Sequence, residues 1–222
     1  MSYKTKIKRL IGQFTGKWII DEKMFAYGDE FINKIPKIGN YIRVKALELV
    51  CREISENKIS GSVAELGVYQ GDFAKYINEA FADKTFFLFD TFQGFDKTDI
   101  EAEKHKTNMD ATQDFSSTSV DLVLSKMKHP KNCVIKKGYF PESLDGLDER
   151  FCFVSLDPDL YKPVLDGLNY FYPRLNEGAY MFIHDYNNQH YPGVKKAVKE
   201  YFNNVPCGVP LPDAWGTLII KK

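Results

Sequence analysis

The distribution of apolar and polar positions changes character near residue 60. Before it, Val44, Leu47, Cys51 and Ile54 fall on one face of a helix, and residues 1–57 read as an N-terminal helical cap. After it, short apolar runs alternate with amphipathic stretches. Runs at 62–66, 85–89, 133–136, 151–156 and 179–183 predict strands. Phe73, Tyr76, Ile77, Ala80 and Phe81 recur at helical spacing between the first two runs. So do Val120, Val123, Leu124 and Met127, where Thr118 with Asp121 three residues on resembles a capping box. A third helix face is Val164, Leu165, Leu168, Tyr172 and Leu175, closed by Asn176-Glu177-Gly178, and a fourth is Val194, Ala197, Val198, Tyr201 and Phe202. The polar stretch from Thr91 to about Ser117 is longer than a plain connection needs and reads as a lid. Two extended runs in the tail, parted by Pro210, Pro212 and Asp213, predict a closing antiparallel hairpin. The alternation defines an α/β domain over residues 58–222, a doubly wound and mostly parallel sheet with an antiparallel last strand.

In such sheets ligands bind beyond the carboxyl ends of the strands. Polar residues collect at those ends: Glu65, Asp90, Gly138, Asp157 and the pair His184-Asp185. The first strand runs into Glu65-Leu66-Gly67-Val68-Tyr69-Gln70-Gly71, and Asp90 ends the second, at the offset where an acid meets ribose hydroxyls. Gly67 allows a sharp turn and close approach of the backbone to a ligand. A dinucleotide site would carry G-x-G-x-x-G; only Gly67 and Gly71 are present, with Glu65 two residues before the turn. A carboxylate there suits a ligand with an amino or cationic end and no phosphates, and S-adenosylmethionine fits that description.

With 30 basic and 30 acidic side chains in 222 residues, nothing in the overall charge favours nucleic acid or an acidic membrane. The basic start, with Lys4, Lys6, Lys8, Arg9 and Lys17, reads as a solvated or oligomer-contacting helix, so a homo-oligomer would form through the N-terminal helices. No apolar run is long enough for a transmembrane segment, and no signal core is evident. Cys51, Cys133, Cys152 and Cys207 lack CxxC spacing and read as free thiols, which makes the cytoplasm the default compartment.

Asp157-Pro158-Asp159-Leu160-Tyr161 and His184-Asp185-Tyr186 follow strands four and five. If those strands are neighbours, the carboxylates and the imidazole converge. Asp157 and Asp185 are hard oxygen ligands for a divalent cation, and His184 is a candidate base for deprotonating an acceptor hydroxyl. Asp159 reads equally as a helix cap or a functional group. His105, His129 and His190 read as surface residues.

Together with Asp90-Thr91-Phe92-Gln93-Gly94-Phe95 and Gly138-Tyr139-Phe140, these blocks resemble the macrocin O-methyltransferase (TylF-type) family, in order over about residues 40 to 220. The resemblance implies a seven-stranded Rossmann-like sheet and an S-adenosylmethionine-dependent enzyme. Its acceptor would be a hydroxyl of a sugar, glycan or glycosylated small molecule. It implies cofactor-binding residues among Glu65, Gly67, Gly71, Asp90, Gly138 and Phe140. It also implies a magnesium site at Asp157, His184 and Asp185, with Asp157 and His184 as the catalytic pair. Where the family has an Asp-Asp pair, this chain has His184-Asp185, which leaves open a magnesium ion, a softer divalent metal, or a metal-free base. Three other readings compete. A nicotinamide-dependent oxidoreductase lacks its glycine fingerprint here. A metal-dependent glycosyltransferase would use Asp157-Pro158-Asp159 but not the glycine loop, and a non-catalytic module would keep the fold without turnover.

Overall fold

The computed structural model describes residues 38–205 and 207–222. The N-terminal basic stretch and the oligomer contact expected of it lie outside the described residues. Helix α1 (Ile38–Glu56) leads into β1 (Ser62–Leu66), α2 (Ala74–Ala80), β2 (Phe86–Asp90), α3 (Lys97–Thr107) and α4 (Val120–Lys126). Then come β3 (Cys133–Lys137), β4 (Phe151–Leu156), α5 (Tyr161–Arg174), β5 (Leu175–Ile183), α6 (Pro192–Tyr201), β6 (Val209–Pro210) and β7 (Leu218–Lys221). The seven strands form one sheet in the order β3-β2-β1-β4-β5-β7-β6. The first five are parallel, and β7 runs antiparallel to both β5 and β6. Strand order reverses between β1 and β4, the switch point at which such sheets open a crevice.

Alternation along the strands sorts the core into two faces. Leu66, Phe89, Leu156 and Ile183 point to the side covered by Val164, Leu168 and Phe171 of α5 and Val194 and Val198 of α6, all buried. The intervening positions face the other way, where Phe153 stacks on Phe81 at 5.3 Å and meets Phe182 edge to face at 5.1 Å. Full burial of each such ring contributes about 2–3 kcal/mol relative to exposure. Glu65 and Ser155, paired across β1 and β4, alternate onto this second face. The predicted stripe Val44, Leu47, Cys51 and Ile54 of α1 is buried as expected.

Three details differ from the sequence pattern. The polar stretch read as a lid contains α3, whose buried face is charged rather than apolar. Glu103, 1% exposed, accepts from the Tyr161 N–H (2.7 Å) and the Gly193 N–H (3.1 Å), and so serves the starts of both α5 and α6. A carboxylate shared by two helix N-termini carries no apolar periodicity, which is why the pattern missed the helix. Second, α4 is capped by Ser119, not Thr118. Ser119 Oγ accepts from the Leu122 N–H at 3.1 Å, while the Thr118 hydroxyl donates to the Tyr69 carbonyl. Third, β5 begins at Leu175. Its pairing with β4 breaks between Phe151 and Phe153, so the expected Asn176-Glu177-Gly178 turn is an irregularity within the strand.

Candidate active site

Past their last ladder pairs the strands keep hydrogen bonding, and this lines the candidate residues along one edge. The N–H groups of Gly67, Asp157, His184 and Gly138 donate to the carbonyls of Phe89, Leu66, Leu156 and Asp90, at 2.8–3.0 Å. Two clefts open there. The first, about 620 Å³ of open-mouthed space, is bounded by Gly67, Asp90, Phe95, Gly138 and Phe140 among others; the second, about 960 Å³, by Arg43, Glu65, His184, Asp185, Tyr191 and Trp215. Gly67, Tyr69, Phe115, Asp157 and Asp159 line both. Four non-glycine residues at this edge hold left-handed backbones: Tyr69, Phe92, Asp159 and Asp185, with φ of 48–61°. Each costs about 1–3 kcal/mol, and such strain collects at functional sites.

The glycine loop is held from below. Asp90 Oδ2 accepts from the Val68 and Tyr69 N–H groups, both at 2.8 Å, and Oδ1 from Phe92 N–H at 2.6 Å. Burial raises the Asp90 pKa, against these three backbone bonds. Gly67, at φ +85°, faces protein rather than open space: a Cβ would overlap the Asp157 carbonyl and stand 2.7 Å from Pro158 N. The close approach inferred from sequence is real, but the backbone it admits is the β4 turn. Gly71 borders neither cleft; its N–H closes the turn on Val68 and its Cα faces Val123 of α4 and Met127 just past its end.

Register explains Glu65. It lies beside Ser155 across β1 and β4, and Ser155 Oγ donates to Glu65 Oε1 at 3.2 Å. The other oxygen, Oε2, is buried with no partner among the described residues. Burial and the Asp157 charge push the Glu65 pKa up to about 8, against the Arg43 guanidinium. A buried carboxylate oxygen without a donor is unfavourable by about 1–3 kcal/mol, and a cationic ammonium at this point relieves it.

Asp157, His184 and Asp185 do come together. Nδ1 of His184 lies 2.9 Å from Asp157 Oδ1 and 2.7 Å from Asp185 Oδ2, and their potential ligand atoms all fall within 4.8 Å. Arg43 of α1, which the sequence pattern did not single out, donates from Nη1 to Asp157 Oδ2 at 3.0 Å and from Nη2 to Ser155 Oγ at 3.2 Å. Its guanidinium sits 3.5 Å over the Phe73 ring. One signal could have found it: Arg43 stands four residues before Leu47 in the stripe that continues to Cys51, a charge on a buried face. Burial alone would raise the Asp157 pKa, but His184 and Arg43 hold its carboxyl well below the usual range. Burial and Arg43 oppose a charged His184, yet Asp157 and Asp185 win and push its pKa up to about 9. Asp159 moves the other way: burial first, then the Asp157 and Asp185 charges, raise it well above an ordinary carboxyl. His190 is exposed, as expected, but borders the second cleft.

A doubly wound sheet with a crevice at its switch point and an antiparallel final strand defines a Rossmann-like methyltransferase fold. The model of the macrocin-O-methyltransferase (TylF) family matches residues 34–216, and the chain belongs to that family. It is therefore an O-methyltransferase, and S-adenosylmethionine is its methyl donor. The chain is 29% identical to mycinamicin III 3''-O-methyltransferase of Micromonospora griseorubida over 175 residues, 72% of this chain and 67% of that protein. It is 22% identical to an 8-demethyl-8-(2,3-dimethoxy-alpha-L-rhamnosyl)-tetracenomycin-C 4'-O-methyltransferase of Streptomyces olivaceus, over 79% and 70% of the two chains. Two solved structures share the fold: the O-methyltransferase NovP and the calicheamicin methyltransferase CalS11, each at TM-score 0.66. NovP is 19% identical with 82% of this chain and 80% of its own covered, CalS11 16% with 100% and 93%.

Proposed function

We propose that the enzyme methylates a hydroxyl of a sugar ring, in a glycan or a glycosylated small molecule, and that Asp159 accepts the hydroxyl proton. The observation that carries this is the position of Asp159. It borders both clefts, in a left-handed conformation, with a pKa raised by burial and two neighbouring carboxylates. A base at the junction of donor and acceptor clefts is what transfer to an alcohol needs, because an alcohol is a poor nucleophile until its proton is removed. The roles first assigned to Asp157 and His184 change accordingly. Asp157 has both oxygens engaged and is a poor base. His184 keeps its proton up to about pH 9 and cannot take another near neutrality. Together with Arg43 they fix the floor of the acceptor cleft. The acceptor class is supported by the two relatives, whose names specify methylation at numbered sugar positions.

S-adenosylmethionine fits the chain. Asp90, Gly138 and Phe140 would hold its adenosyl part in the first cleft, and Glu65, with its unpartnered oxygen, its amino end. When bound it supplies an electrophilic methyl group on a sulfonium. Calorimetry with adenosylhomocysteine, alongside turnover of Asp159→Asn, tests the reading. Retained binding with turnover lost supports it, and full turnover overturns it.

A divalent cation also fits: Asp157, His184 and Asp185 would hold it with two oxygens and one nitrogen, and it would acidify the acceptor hydroxyl. One observation favours a second reading, in which His184 takes the cation's place. Its Nδ1 already bridges the two carboxylates, and Arg43 already neutralises Asp157. Chelation separates the two. Activity lost and restored by manganese, at least as well as by magnesium, supports the cation; unchanged activity supports the imidazolium. No helix among the described residues is long and apolar enough to cross a membrane, and the four cysteines are free. Free thiols suit a reducing compartment, and we place the reaction in the cytoplasm.

A further inference from the structure

The acceptor cleft does not end at Asp159. Asn188, His190 and Trp215 border it and also border a second groove, formed by residues 187–190 after β5 and 211–216 before β7. We infer that this groove is a carbohydrate subsite. It would take a neutral ring joined to the one that is methylated, with that ring stacked on the Trp215 indole. The inference rests on the proposed sugar acceptor and adds where its unreacted part is held.

Three observations carry it. The first is Trp215 itself, 47% exposed and therefore presenting a large flat apolar face to solvent beside the active site. Its loop is preorganised: Asp213 accepts from the Thr217 N–H (2.7 Å) and hydroxyl (2.5 Å), and the Asn187 N–H donates to the Trp215 carbonyl at 3.3 Å. Gly216, at φ +73°, lies against Asn187, where a Cβ would stand 2.7 Å from the Asn187 Cβ. The indole is therefore presented by a built turn.

The second is the polar lining. Asn187 and Gln189, both exposed, supply amides that match the hydroxyls of a pyranose, whereas the Asn188 amide is buried and its Oδ1 accepts from the His190 N–H at 2.9 Å. Asn188 also joins the groove to the reacting centre, since its Nδ2 donates to Asp185 Oδ1 at 2.6 Å.

The third is charge. Among the described residues no lysine or arginine lines the groove. The Lys195 ammonium, which is outside the lining, donates to Asn187 Oδ1 at 2.8 Å. The adjoining acceptor cleft carries Asp72, Asp157 and Asp185 against Arg43 and His184, and both of these cations are already engaged by Asp157. A diphosphate there would meet carboxylates rather than the guanidinium or ammonium groups that bind it. A neutral glycoside suits this lining, and a sugar nucleotide does not.

The test uses the full-length protein loaded with adenosylhomocysteine. It is screened against an array of neutral methyl glycosides, neutral disaccharides and sugar nucleotides, with hits measured by calorimetry. At least one neutral disaccharide should bind at least tenfold more tightly than the methyl glycoside of either of its rings. Trp215→Ala should remove that gain, and Trp215→Phe should restore most of it. Tighter binding of a sugar nucleotide, no neutral saccharide bound, or a gain untouched by Trp215→Ala would each overturn the proposal. Adenosylhomocysteine affinity, measured in the same samples, separates the outcomes. If it is intact while the array fails, the subsite is wrong and the methyltransferase reading stands; if it is absent, the failure lies in that reading.

Discussion

The two clefts share one sheet edge and are built by different means. The donor cleft, over β1 to β3, is shaped by backbone: a glycine loop, a carboxylate engaged with three main-chain N–H groups, and the aromatic wall of Phe95 and Phe140. The acceptor cleft, over β4 and β5, is shaped by side-chain charge, with Arg43 and His184 set among carboxylates. The difference matches the ligands. On the proposed reading, one cofactor with a fixed shape would be held by rigid loop geometry, whereas proton removal needs titratable groups whose pKa values are driven apart. Asp157 and Asp159, two residues apart, show that separation most directly, one held below and the other above the usual carboxylate range.

The largest effect should come from Asp159→Asn, on the acceptor side. Loss of a general base lowers turnover by about 10²–10⁴-fold, with adenosylhomocysteine binding retained. In the wild type, turnover should rise with pH as Asp159 ionises, with a midpoint above the ordinary carboxylate range. A flat pH–rate profile across that range would remove Asp159 from the role.

Next is Gly67→Val, which joins the two clefts. Because its Cβ would overlap the Asp157–Pro158 backbone, stability should fall by about 3 kcal/mol, together with cofactor binding. Thermal unfolding checks this. A stable protein that merely fails to bind cofactor would show that the glycine serves the ligand alone.

On the donor side, Asp90→Ala should weaken adenosylhomocysteine by at least about tenfold, the equivalent of one charge-assisted bond. The Val68, Tyr69 and Phe92 N–H groups lose their shared acceptor, so amide exchange in that loop should quicken. Unchanged exchange and affinity would make Asp90 a bystander.

The smallest effect concerns Glu65. Its pKa of about 8 in the folded chain exceeds the reference 4.5, so the folded state keeps a proton that the unfolded state releases. The stability tied to that proton is whole below pH 4.5 and is lost as pH rises through 8. Glu65→Gln should therefore melt like the wild type at pH 4 and above it at pH 9, while binding adenosylhomocysteine about tenfold less tightly. Equal melting temperatures at pH 9 would contradict the burial of an ionisable group there.

Strand positions, the parallel core of the sheet and the edge on which Glu65, Asp90, Asp157, His184 and Asp185 gather followed from the sequence. Apolar periodicity and the end of each run are local properties of the chain. The glycine loop was legible for the same reason: turn chemistry is written at one place. Other features required the tertiary structure. Arg43 reaches Asp157 across 114 positions, and Glu103 serves two helices 58 and 90 positions away; no local pattern records such a pairing. The division of labour between Asp157 and Asp159 was decided there as well. Both are aspartates in one turn, and only the burial and the charges that the folded chain brings to each set them apart.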